Sequence, residues 1–212
     1  KRQPTPSYTY ELWSCGSNIN GQLGLGTTAT YLSPKQVGAL ATWSSIAAGQ
    51  YYTLALKTDG TLWSWGQNNY GQLGLGNTTY YSSPKQVGAL TTWSSITAGQ
   101  YLTLAIKTDG TLWSWGLNDG GQLGLNNRTN YSSPKQVGAL TTWSSITAGG
   151  YYTLAIKTDG TLWSWGYNVY GQLGLGNTTK YSSPKQVGAL TTWLNITAGS
   201  YLSLIHISEP TR

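Results

Sequence analysis

Between Trp93 and Val137 the chain alternates apolar and polar positions in four short runs, each closed by turn residues. Trp93-Ser94-Ser95-Ile96-Thr97-Ala98-Gly99 predicts a first strand that ends in small residues. Tyr101-Leu102-Thr103-Leu104-Ala105-Ile106-Lys107 alternates and is rich in strand formers, so it predicts a second. Thr108-Asp109-Gly110-Thr111 joins it to Leu112-Trp113-Ser114-Trp115, and Asp-Gly between alternating runs signals a hairpin. A fourth strand, around Ser133-Pro134-Lys135-Gln136-Val137, holds a proline; lacking the ladder donor, it belongs at a sheet edge. Helical periodicity is absent throughout.

The same pattern returns along the chain. The stretch from Asp59 to Gly74 recurs from Asp109 to Gly124 and from Asp159 to Gly174, and a worn copy opens at Glu11. The glycine that closes Trp-Ser-Trp, or Trp-Ser-Cys in the opening copy, falls at 16, 66, 116 and 166, a period of 50 without drift. Four antiparallel strands per period predict an all-β protein, a β-propeller of four-stranded blades. The strand ending in Ala98-Gly99 suits the crowded axis and the proline-bearing strand the rim. Trp113 and Trp115 alternate with Leu112 and Ser114, so large groups on one blade face meet smaller ones on the next. Glycines between Gly116 and Tyr131 are read as tight turns, because neither a following lysine nor a helix is present to make a phosphate cradle.

The run Asp-Gly-Thr-Leu-Trp-Ser-Trp-Gly-x-Asn-x-x-Gly-Gln-Leu-Gly, followed by Ser-Pro-x-x-Val and Ala-Gly, resembles the regulator of chromosome condensation repeat. The likeness covers Tyr8 to Tyr201 and implies a propeller, in that family usually of seven blades. Where the family often has histidine shortly after Ala-Gly, this chain has Tyr52, Leu102, Tyr152 and Leu202. The family includes a chromatin-bound nucleotide-exchange factor, whose activity is tied to an insertion in one blade, and a secreted bacterial inhibitor of β-lactamase. The full copies here are equal in length, so exchange activity is not expected.

The expected organisation is a linker over 1–7, repeats over 8–201 (8–50, 51–100, 101–150 and 151–201), and a separate tail over 202–212. That tail, Leu202 to Arg212, departs from the repeat and matches the translation of a transposase-type sequencing adapter. It is therefore read as non-native, the end of a metagenomic-type fragment, and its His206 is given no role. Four blade equivalents are present, whereas seven at this period would need about 350 residues. An open arc of this kind would expose blade faces.

Composition narrows the chemistry. Charged residues are 8% of the chain and the net charge is +6, but the lysines recur at fixed phase (Lys57 and Lys107, Lys85 and Lys135) and should be spread around the disc. Nucleic acid, which needs basic residues gathered on one face, is not the expected partner. Cys15, the lone cysteine, stands where other copies have Trp65, Trp115 and Trp165, and is expected to be a small buried filler. No disulfide, metal site or cofactor is implied. No apolar run reaches the roughly 20 residues of a membrane span. Asp59, Asp109 and Asp159 are accounted for by their Asp-Gly turns, and Asp119 has no catalytic partner, so no catalytic residue is assigned and the chain is read as a non-enzyme.

Differences between the copies fall in five phases: 17/67/117/167, 19/69/119/169, 20/70/120/170, 30/80/130/180 and 50/100/150/200. All lie in the first-to-second and third-to-fourth connections, which an up-and-down blade sends to one face of the disc. The Thr-Asp-Gly turn and Val-Gly-Ala-Leu, on the other face, barely change. The candidate partner-binding residues are therefore Gln67, Asn69, Tyr70, Tyr80, Leu117, Asp119, Asn130, Tyr167, Val169, Tyr170 and Lys180. Loops carrying varied aromatic and polar groups suit recognition of a protein, on a secreted, cell-surface or virion protein. The alternative is a glycan-binding propeller, which identical pockets in each blade would favour.

Overall fold

The structure is a computed structural model that describes residues 10–39 and 42–207. Its strands are β1 (Trp13–Gly16), β2 (Tyr31–Gln36), β3 (Trp43–Ala48), β4 (Tyr52–Lys57), β5 (Leu62–Gly66), β6 (Tyr81–Gln86), β7 (Trp93–Ala98) and β8 (Leu102–Lys107). They continue as β9 (Leu112–Gly116), β10 (Tyr131–Gln136), β11 (Trp143–Ala148), β12 (Tyr152–Lys157), β13 (Leu162–Gly166), β14 (Tyr181–Gln186), β15 (Trp193–Ala198) and β16 (Ser203–Ile207). Three sheets are complete up-and-down blades: β3-β4-β5-β6, β7-β8-β9-β10 and β11-β12-β13-β14. Two-stranded half blades flank them, β1-β2 before and β15-β16 after, so the expected four blade equivalents are present. The described residues contain no helix, hence none long and apolar enough to cross a membrane.

The first strands β3, β7, β11 and β15 pack in succession at the axis, where Ala and Gly at their ends line a cavity of about 480 Å³. The proline strands are edges, as the missing ladder donor requires; in β10 the register slips between Tyr131 and Lys135, around Pro134. Ser203–Ile207, which the sequence assigns to a separate tail, pairs with β15 in the register of the other second strands: Ala198 faces Ser203 as Ala148 faces Thr153. The linker expected over 1–7 and the last residues of the tail lie outside the described residues.

Each seam between blades is a dry core. Tyr52, Leu54, Leu56 and Leu62 of one blade enclose Trp93, Ala105 and Trp115 of the next, and the following seam repeats this with Leu102, Leu104, Ile106 and Leu112 against Trp143, Ala155 and Trp165. This is the large-against-small packing that the alternation predicts.

A polar clamp fixes the register across the seam. The main-chain carbonyl of Gln72 accepts from the Trp115 indole at 2.9 Å and from the Thr103 hydroxyl at 2.7 Å. Gln22 does the same for Trp65 and Thr53, and Gln122 for Trp165 and Thr153. The connection that carries the carbonyl also adds a backbone bond, Gly76 N to Ser132 O at 2.7 Å, on the outer strand of the next blade. Trp115 lies so close to this connection that Gly74 has no room for a side chain: a Cβ there would sit 2.7 Å from the indole nitrogen, at φ +74°.

Cys15 corrects the sequence reading, because it is exposed rather than buried. The third-strand tryptophans face the preceding blade, as Trp65 does with Leu12 and Val37, and no described residue packs on that side of β1. For the same reason the outer faces of the arc are bare. Leu204 is 58% exposed where Leu54, Leu104 and Leu154 are fully buried.

Gly74→Ala should therefore cost roughly 2–4 kcal/mol by combining overpacking with backbone strain. Gly88→Ala, at φ +63° with open space around it, should cost only about 1 kcal/mol. Denaturant midpoints of the two variants check the ranking, and equal losses would contradict it.

Candidate functional site

The connections 49–51, 67–80 and their counterparts emerge together on one face of the disc. The long one is held by a buried asparagine. Asn118 Nδ2 donates to the carbonyls of Asn127 and Thr129, both at 3.0 Å, while its Oδ1 accepts from Leu123 N at 2.9 Å. Asn68 and Asn168 repeat the arrangement. The varied residues thus stand on a frame that does not vary.

On the first full blade, Tyr80 donates to Asn69 Oδ1 at 2.5 Å and accepts from Gln67 Nε2 at 3.3 Å. On the second, Asn130 is exposed but its Oδ1 is occupied, accepting from Asn118 N at 2.8 Å, and Leu117 is buried and presents little to a partner. Asp119 stays exposed and accepts from Gln122 Nε2 at 3.2 Å. The corresponding amides of Gln72 and Gln172 are buried without a partner, so Asp119 satisfies a donor that Asn69 and Val169 leave unmatched. On the third blade, Lys180 Nζ lies 4.2 Å from the Tyr167 ring centre, and Val169 and Tyr170 are exposed.

Three aromatic residues missing from the sequence-derived set belong to this face. Tyr70 packs on Tyr101 with ring centres 5.2 Å apart, Tyr170 on Tyr201 at 5.3 Å, and Tyr167 on Tyr151 at 6.3 Å. Tyr101, Tyr151 and Tyr201 recur just before the second strand in every full copy, so a search for variable positions passes over them. The signal that finds them is their place beside the variable 50/100/150/200 phase. Asp119, Gly120, Tyr151, Tyr167, Lys180 and Tyr201 line a cavity of about 220 Å³. Partial burial, together with Tyr101, Tyr201 and Asp119 nearby, pushes the Tyr151 hydroxyl above its usual range.

The opposite face is uniform. Asp109 Oδ1 accepts from Thr111 N at 3.0 Å and from its hydroxyl at 2.6 Å, while Thr111 in turn accepts from the Trp113 indole at 2.9 Å. These bonds hold the Asp59, Asp109 and Asp159 carboxyls below the usual range. The lysines are spread as expected, one over each tryptophan pair: Lys107 Nζ is 3.7 Å from Trp113 and 5.0 Å from Trp93, and desolvation lowers its pKa. Two cavities of like lining, about 430 and 420 Å³, open at the seams beside Trp93, Lys107 and Trp113 and beside Trp143, Lys157 and Trp163. Among the described residues, no three His, Cys, Asp or Glu side chains converge as metal ligands would.

Blades of four antiparallel strands fanned about an axis define a β-propeller. The RCC1-like domain matches residues 7–205, and the chain belongs to that family. Human WBSCR16 is similar in structure, with a TM-score of 0.82 and 24% identity over 95% of this chain and 54% of its own. Prp20p from Saccharomyces cerevisiae, whose structure was described with its binding to Gsp1p and histones, gives 0.81 and 23% over 91% of this chain and 50% of its own. Yeast RCC1 (Prp20) bound to Kap60 gives 0.82 and 23% over 92% and 49%. The chain spans about half the length of these relatives, and at such identities the likeness is one of fold. No curated protein matches the sequence.

Two outcomes follow. Asn118→Ala strands one amide and two carbonyls, and should cost about 3 kcal/mol while speeding amide exchange across 117–130 and leaving the 108–111 turn protected. Because the turn carboxyls titrate lower when folded, their stabilisation is complete above about pH 4, the unfolded value, and is lost as pH falls through the folded values. The thermal midpoint should drop below pH 4, and less steeply once all three are replaced by Asn.

Proposed function

We propose that this chain is a non-enzymatic binding scaffold whose varied loop face takes a protein partner. One observation carries the reading. Every blade builds the same framework, yet at the same height each shows a different group: Gln67-Asn69-Tyr80 on one, Asp119 on the next, Tyr167-Lys180-Tyr170 on the third. A rigid frame that offers distinct aromatic and polar groups in register suits one shaped partner better than a repeated small ligand. The carboxylates that recur are consumed by turn hydrogen bonds, which leaves them poor candidates for acid–base chemistry. That relatives of this fold are described with Gsp1p, histones and Kap60 is consistent with a protein-binding role.

Replacing Tyr70, Tyr167 and Tyr170 together by Ser should abolish capture of the partner, with Leu90, Leu140 and Leu190→Ser on the opposite face as the control. A protein retained equally by both variants would reject this face.

A glycan-binding propeller is the second reading, favoured by the two like seam cavities with their paired tryptophans. It predicts glycan-array signal that Trp113→Ala and Trp163→Ala remove and the tyrosine triple variant does not.

A further inference from the structure

At successive seams the loop residue of one blade has a counterpart 31 positions on, the tyrosine just before the second strand of the next blade. The pairs are Asn20 with Tyr51, Tyr70 with Tyr101, Gly120 with Tyr151, and Tyr170 with Tyr201. Two of these seams carry a tyrosine ring packed on a tyrosine ring, at 5.2 and 5.3 Å. At the third, Gly120 supplies no side chain, and the 220 Å³ cavity opens there against Tyr151. The vacancy lies below the 300–1,000 Å³ typical of small-molecule sites, a size for one side chain.

We propose that this vacancy is a specificity pocket that receives a tyrosine-type aromatic side chain of a protein partner, seated over Tyr151 as Tyr70 is seated over Tyr101. The chain itself shows what fits: an aromatic ring in tilted packing, the geometry that ring quadrupoles favour. Two polar groups line it. Asp119, held by Gln122, keeps an oxygen free to accept a phenol proton, and Lys180 over Tyr167 can donate to the phenol oxygen. Acid and amine offset one another, so the pocket suits a neutral ring with one hydroxyl better than a charged side chain. Gly120 is needed for the vacancy rather than for the backbone. Its φ is not in the left-handed region, and an added Cβ would meet Gln122 Oε1, which accepts from Gly120 N, at 3.1 Å and Tyr167 Cβ at 3.5 Å, so alanine needs only a shift of a few tenths of an ångström.

The inference rests on the partner-binding reading of this face, but its test needs no partner. N-acetyl-tyrosinamide is titrated into the isotope-labelled chain and followed by amide shifts, beside N-acetyl-phenylalaninamide, N-acetyl-leucinamide and N-acetylglucosamine. Saturable binding of the tyrosine probe is expected, with shifts centred on Gly120, Tyr151 and Tyr167 and affinity about threefold above the phenylalanine probe and about tenfold above the leucine probe. Gly120→Tyr, which rebuilds the neighbouring seams, should weaken it about tenfold or more, and Gly120→Ala should stay within about threefold of the parent. Tyr151→Leu, which removes the ring beneath the guest, should also lose about tenfold. No saturable binding, equal affinity in Gly120→Tyr or Tyr151→Leu, or preference for the leucine or sugar probe would overturn the pocket. A failed titration leaves recognition by the wider face standing, whereas a partner insensitive to the tyrosine triple variant removes that reading.

Discussion

One carbonyl oxygen per blade ties the disc together. Gln72 O leaves its own sheet on the long connection and takes two donors, the Trp115 indole and the Thr103 hydroxyl, from the blade that follows. The apolar seam around it is non-directional, so it favours contact between blades without specifying one hydrogen-bonded register. Two directional bonds on one buried acceptor do fix it, because a slip would orphan an acceptor and two donors in a dry setting. The glycines at 24, 74 and 124 follow from this clamp, as the indole sits where a side chain would stand.

The clamp also separates constant positions from variable ones. It uses a main-chain group, so the side chains of its connection are free to change once the buried asparagine and the turn glycines are kept. Blades can then be copied whole while positions 67, 69, 70 and 80 and their counterparts diverge. The other face has no such freedom. There the Asp-Gly-Thr turn is tied through Thr111 to Trp113, and Trp113 to Lys107, in a chain of contacts that each full copy repeats.

Much of the fold was legible because the period carries it. A spacing of 50 with four alternating runs and one proline defines strand number, strand order and edge. Side-chain facing was legible only where a neighbour is certain. Cys15 was read as buried by analogy with Trp65, yet burial of that position comes from the preceding blade, a non-local property. Variation located the loop face, but it could not tell Leu117, which packs inward, from Tyr170, which points out. It was also blind to Tyr101, Tyr151 and Tyr201, whose importance comes from the neighbour each meets across a seam rather than from any difference among themselves.

A double-mutant cycle on Trp115→Phe and Thr103→Val measures the clamp most directly. Each single variant leaves the Gln72 carbonyl one donor, so each should be tolerated at about 1–2 kcal/mol. The pair leaves a buried acceptor bare, and its loss of stability should exceed the sum of the singles by roughly 1 kcal/mol. Strictly additive or negligible losses would mean that the Gln72 carbonyl does not hold the blades in register.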